Sequence, residues 1–166
     1  NKLENNPALL NLDQFCYNMV AEIKQGVGSA NAIYYRSELE AGKEYLLDEK
    51  LLRQILYNLL VNACKYSYPA STISFVASQS HTEDEIVFQV KNEGPGILPE
   101  DLPHLFEAFH RGKNTGTIRG NGLGLTIVKT SLDLMGGNIT IDSQVGDITT
   151  FTVALPAKSS LNLVPL

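Results

Sequence analysis

The stretch from Asp48 to Tyr66 constrains the fold more than any other. At 3.6 residues per turn, Leu52, Ile55, Leu56, Leu59 and Ala63 fall on one side of a helix. Asp48 is placed to cap it, because a side-chain oxygen there can accept from a free N–H of the first turn. A stripe that wide has to be buried against another layer. Asn58, Asn62 and Lys65 share a different side, at spacings of four and three. Asparagine is a poor helix former, since its amide competes for backbone partners. Two aligned asparagines therefore make either a solvated face or the polar wall of a ligand pocket.

The segments around this helix read as an α/β domain. Ile73, Phe75 and Ala77 alternate with more polar neighbours from Ser71 to Ser78, and Ile86, Phe88 and Val90 do so from Glu85 to Lys91. They predict paired strands joined by a polar turn at 81–84. Residues 32–35 and 44–47 predict two more strands, with Ala41-Gly42 turning between them. A helix opens at Leu12-Asp13 with Asp13 as N-cap, carries Phe15, Met19, Val20 and Ile23, and ends at Gly26 and Gly28. Pro99 opens a short helix with Leu105, Phe106 and Phe109 on its apolar side. Residues 110–119 are basic, Gly-rich and non-periodic, the marks of a mobile loop. A last helix ends at Gly136-Gly137, and strands follow at 138–142 and 149–155. Residues 1–11 read as an incoming linker, 12–156 as the domain, and 157–166 as a loose tail.

Composition narrows the function classes. The chain has 166 residues, enough for one domain with a real core. Its net charge is -5, so no general electrostatic attraction to nucleic acid is expected. No apolar run reaches membrane-spanning length and no signal peptide is visible. The chain starts at Asn1, without a methionine, and reads as a piece of something longer. Cys16 and Cys64 lie in helical apolar patterns and suit a reducing compartment as buried thiols. Two cysteines and three scattered histidines have no metal-site spacing.

Two glycine clusters remain. Gly94-Pro95-Gly96 follows the strand at 85–91, and Gly120-Asn121-Gly122-Leu123-Gly124 runs straight into an apolar helix. Glycine lets a backbone come close to a ligand, and a helix start favours an anion. Alone, either cluster is a weak signal. Order and spacing make them strong. Residues 52–67 resemble the N box of sensor histidine kinases. Asn92-Glu93-Gly94-Pro95-Gly96-Ile97 resembles their G1 box. Residues 105–111 are similar to the F box, and Gly120 to Leu125 to the G2 box. The resemblance covers roughly residues 12–156.

The resemblance implies the catalytic, ATP-binding domain of a two-component histidine kinase. Its fold would be the GHKL, or Bergerat, two-layer α/β sandwich: a mixed sheet, about three main helices on one face, and a mobile lid over ATP. By the same resemblance Asn62 binds Mg²⁺ and Asn58 assists around the phosphates. Lys65 neutralises phosphate and Tyr66 packs near the adenosine. Asn92 reads adenine, with Gly94, Gly96 and Ile97 close to the base and Thr149 supporting the adenine-binding side chain. Gly120, Gly122, Leu123, Gly124 and Leu125 surround the phosphates. Phe109 and Arg111 close the F box, with Arg111 on the γ-phosphate. Asn58, Lys65 and Arg111 form the implied catalytic set.

The pattern departs from the family twice. Asn92 stands where an aspartate is usual, and Ile148 where a second glycine is common. The family's acceptor histidine sits on an upstream helical hairpin before an acidic residue. His81, His104 and His110 lack that context and read as surface histidines. The implied partners are that hairpin, a downstream response regulator and a second copy in the full-length protein, with this fragment a monomer; no nucleic acid is implied. The setting is cytoplasmic, the parent protein being membrane-anchored or soluble. Two other readings stay open: a GHKL ATPase of the gyrase kind, disfavoured because Asn58 replaces its water-activating glutamate, and a nucleotide-sensing pseudokinase.

Overall fold

The computed structural model describes residues 3–26, 31–81, 84–108 and 124–162. In chain order its elements are β1 (Ala8–Asn11), α1 (Leu12–Gly26), β2 (Ala32–Glu38), β3 (Glu44–Leu47), α2 (Glu49–Tyr66), β4 (Thr72–Gln79), β5 (Glu85–Glu93), a 3-10 turn (Leu102–His104), α3 (Gly124–Met135), β6 (Asn138–Ser143), β7 (Ile148–Pro156) and a second 3-10 turn (Ser160–Asn162). The main sheet has five strands in the order β2-β4-β5-β7-β6, and β1 pairs with β3 in a separate ribbon. β2 runs parallel to β4, while β4–β5, β5–β7 and β6–β7 are antiparallel. Parallel neighbours need a long crossover, and here that crossover carries α2.

Alternation places the core. Ile73, Phe75 and Ala77 of β4 share one face with Ile86, Phe88 and Val90 of β5, all buried. Phe15, Met19 and Ile23 of α1, Leu52, Ile55, Leu56 and Leu59 of α2, and Val128 and Leu132 of α3 join them in one cluster. Each large side chain so buried contributes about 1.5–3 kcal/mol. Tyr35 and Phe75 stand with ring centroids 5.2 Å apart, and Phe75 and Phe88 at 6.3 Å. The opposite face of the sheet carries exposed Tyr34, Arg36, Gln89 and Lys91. Three helices on one face of a mixed sheet make the two-layer α/β sandwich expected from the motifs.

Several local expectations change. Ala8–Asn11, read as linker, is a strand in register with Glu44–Leu47. The expected loose tail packs as well. Ala157 and Ser159 are buried, and the Leu46 N–H donates to the Lys158 carbonyl at 2.8 Å. β2 and β3 flank a turn at Gly42 with φ +75°, yet they lie in different sheets. The α1 cap is Asn11, whose Oδ1 accepts from the Gln14 N–H at 3.2 Å, and the Asp13 carboxylate instead takes the Tyr35 hydroxyl at 2.7 Å. No α-helix opens at Pro99. Pro103 has no N–H to return to the Pro99 carbonyl, so the chain makes successive three-residue turns instead, through Asp101 N–H to Leu98 and His104 N–H to Asp101. Phe109, His110, Arg111 and the whole 110–119 segment, with Gly120, Gly122 and Leu123, lie outside the described residues.

Candidate functional site

The polar side of α2 meets two other elements. Gly124, where the described part of α3 begins, lies against Asn58; a Cβ at 124 would stand 3.3 Å from the Asn58 Oδ1. The Asn58 Nδ2 donates to the Gln54 carbonyl at 2.6 Å, which fixes the amide and leaves its oxygen facing Gly124. Further along, the Ser131 hydroxyl donates to the Gln54 Oε1 at 2.9 Å. The two contacts run α3 antiparallel to α2. The Thr126 hydroxyl donates to the Phe106 carbonyl at 3.2 Å and joins α3 to the F-box segment. Asn62 and Tyr66 are half-buried and Lys65 is exposed. Among the described residues, no hydrogen bond or ion pair holds the side chain of Asn62, Lys65 or Tyr66.

The G1 turn closes the far end. Asn92 is the last inward-facing residue of β5 before Gly94, and is 6 % exposed. The Glu93 carbonyl accepts from the Tyr68 N–H, and the Gly94 N–H donates to the Asp147 carbonyl, at 2.8 and 2.9 Å. The missing Cβ of Gly94 makes room for the Tyr66 carbonyl at the end of α2. Gly96 has φ +73°, and a Cβ there would stand 2.6 Å from the Gln144 carbonyl oxygen. Both glycines thus admit the chain itself. Their role in the structure is to bring the end of β5, the end of α2 and the β6–β7 turn together. The half-buried Ile97 donates its N–H to the Ser143 Oγ at 2.9 Å, and that hydroxyl shares a hydrogen bond of 2.7 Å with the Thr149 hydroxyl. Thr149 is buried and faces Asn92 in the β5–β7 register. The half-buried Leu125 packs on the core from α3.

Most described residues from the motifs therefore line one region: Asn58 with Gly124, and Tyr66, Asn92, Gly94, Gly96, Ile97 and Thr149 around the G1 turn. Lys65 stands at its edge with no protein partner among the described residues. Sequence reasoning missed Gln54 and Ser143. Gln54 lies one turn before Asn58 and was open to discovery from that spacing. Ser143 has no local signal, because only the strand register puts it beside Thr149. Two of the histidines lie elsewhere: His81 is exposed after β4, and His104 is exposed with Nδ1 2.9 Å from Glu107.

Known proteins resemble this chain in sequence and in fold. The autoinducer 2 sensor kinase/phosphatase LuxQ of Vibrio parahaemolyticus is 37 % identical over 128 residues, which are 74 % of this chain and 15 % of LuxQ. The heme sensor protein HssS of Staphylococcus aureus is 36 % identical over 115 residues, 69 % of this chain and 24 % of HssS. The chain thus spans under a quarter of the length of these relatives. Among solved structures, full-length ShkA in complex with AMPPNP superposes with a TM-score of 0.79 at 26 % identity, over 95 % of this chain and 32 % of that one. The mycobacterial sensor histidine kinase MprB gives 0.76 at 22 %, over 92 % of this chain and 99 % of that one, which shows the shared fold. A family model matches residues 47–159, a span that begins one residue before the α2 cap and ends within the packed C-terminal segment, so the chain belongs to the family of histidine kinase-, DNA gyrase B-, and HSP90-like ATPases.

Proposed function

We propose that the domain binds Mg·ATP between α2, the G1 turn and the start of α3, and gives the γ-phosphate to a histidine on a separate helical hairpin. The hairpin would belong to the same protein or its dimer partner, and a response regulator would receive the phosphoryl group next. The observation that carries this reading is the set of uncommitted polar side chains, Asn62, Lys65 and Asn92, around one region of a well-bonded protein. The AMPPNP complex of ShkA supports a nucleotide there.

The donor set fits magnesium. The Asn62 amide oxygen is a hard ligand, half-buried and held by no hydrogen bond among the described residues. When bound, the ion would supply positive charge against the phosphates. Asn62 would hold the ion, and Lys65 would place a positive point charge against phosphate. Asn58 positions and does not activate water: an amide is no base, and its N–H is already given to Gln54. Gly120, Gly122 and Gly124 would turn backbone N–H groups to the phosphates, flanked by Leu123 and Leu125. Arg111 would meet the γ-phosphate, and Phe109 would close the pocket beside it. Tyr66, Asn92, Gly94, Gly96, Ile97 and Thr149 would surround the base. Such a site transfers phosphoryl groups by positioning and charge neutralisation, with the nucleophile supplied from elsewhere.

Titration calorimetry with Mg·ATP tests the binding step. Asn62→Ala should weaken affinity about tenfold, or 1.4 kcal/mol; unchanged affinity would remove Asn62 from the site. Labelled ATP tests the transfer. The domain mixed with its phosphoacceptor hairpin should place acid-labile label on the hairpin, and the domain alone should stay unlabelled. Phosphate release without label would favour an ATPase. Binding with neither label nor release would favour a sensing module.

A further inference from the structure

Two buried polar side chains lack a hydrogen-bond partner among the described residues, Ser159 and Asn92. Ser159 is 0 % exposed and out of reach of any ligand. Its hydroxyl is the one sealed side-chain polar atom left unbonded among the described residues. The Asn92 amide, bonded by none of the described residues, is therefore not sealed and keeps a small exposure at the end of β5. Thr149, its register partner, pairs its hydroxyl with Ser143 and makes no hydrogen bond to the Asn92 amide. The Asn92 Nδ2 lies 3.4 Å from where a Gly94 Cβ would stand, beside the end of α2. An amide that the protein leaves unbonded at both ends can bond the edge of a ligand.

The chemistry of that edge follows from the amide. It has one accepting and one donating end, and a half-turn about its last torsion exchanges them. No hydrogen bond among the described residues selects either orientation. Adenine offers an amino donor beside the N1 acceptor, and guanine an O6 acceptor beside an N1–H donor. A carboxylate at this place would only accept, and would repel O6. Building on the nucleotide-binding reading above, we infer that Asn92 reads both purines by turning its amide, so that the domain takes GTP nearly as well as ATP.

Competition against one fluorescent ATP analogue, with Mg²⁺ present, tests this in the unmutated chain. ATP and GTP should displace the probe within about fivefold of each other, and purine riboside triphosphate, with no group at C6, about tenfold less well than either. Asn92→Asp should raise the ATP/GTP affinity ratio by about tenfold or more. GTP weaker than ATP by over about thirtyfold in the unmutated chain overturns the inference. So does a ratio that stays or falls in a folded Asn92→Asp. In both of those cases ATP still binds, so the proposed function stands while this inference falls. If no nucleotide displaces the probe or binds by calorimetry, both fall together.

Discussion

Asp48 and Asn92 are buried alike, at 7 % and 6 % exposure, and they are treated in opposite ways. Asp48 sits where the N-terminal segment meets α2. One carboxylate oxygen accepts from the Leu51 N–H at 2.9 Å and caps the helix; the other accepts from the Asn6 N–H at 2.8 Å. One residue thus ties the incoming chain to the central helix. Asn92 lies at the end of β5, and nothing among the described residues bonds its amide. Folding alone accounts for the first arrangement, since a buried polar group is normally satisfied. It does not account for the second. The contrast separates polar groups that hold the fold from those that nothing among the described residues bonds, the groups the proposed site would use, and Asn62 and Lys65 fall with Asn92.

Four measurements would break or sharpen that contrast. The largest effect belongs to Asp48→Ala, which removes the cap and leaves the Asn6 N–H without its acceptor. Urea unfolding should show a loss of about 2–3 kcal/mol. A loss under about 0.5 kcal/mol would mean that the two bonds do little.

Lys65→Met comes next and should act on the ligand alone. Mg·ATP affinity should fall about fivefold, on the order of 1 kcal/mol, while unfolding stays within about 0.5 kcal/mol of the natural chain. A stability loss larger than the affinity loss would place Lys65 with the structural groups.

Asn92→Leu is the counterpart of Asp48→Ala. Because the amide has no partner, its removal should leave the nucleotide-free domain unchanged or more stable by up to about 1 kcal/mol. Calorimetry should show nucleotide binding weakened in the same variant. Destabilisation comparable to Asp48→Ala would erase the distinction between the two sites.

The smallest effect expected is none at all. Cys16 and Cys64 are buried and form no disulfide among the described residues, and burial pushes the Cys16 thiol up to about 12. Above pH 9 an unfolded chain ionises this thiol while the folded one does not. Its contribution to stability is full below pH 9 and is lost as the pH rises towards 12. At pH 8 a thiol-specific disulfide reagent should label neither cysteine until the chain is unfolded. Rapid labelling of native Cys16 would show that the core beside α1 opens.

Local pattern determined much of this protein. The α2 faces, its Asp48 cap, the paired strands β4 and β5 and the end of α3 at Gly136 follow from periodicity and from single-residue chemistry, which act over one or two turns of chain. The motifs were legible for the same reason, since each lies on one continuous stretch of chain, and they name the residues of the proposed site. Only the tertiary structure decided the rest. Ala8–Asn11 is too short to announce itself as a strand, and it becomes one because Glu44–Leu47 offers an edge. Asn11 took the cap foreseen for Asp13 because Tyr35, from another element, claims the Asp13 carboxylate. Gly94 and Gly96 carry no clue that carbonyls from α2 and the β6–β7 turn press against them. Above all, no sequence shows whether a buried amide is bonded. Thr149 stands opposite Asn92 in the register, yet its hydroxyl pairs with Ser143 and no hydrogen bond among the described residues reaches the Asn92 amide. Bonding between distant segments depends on distances of a few ångströms, and chain order does not set those until the sheet is assembled.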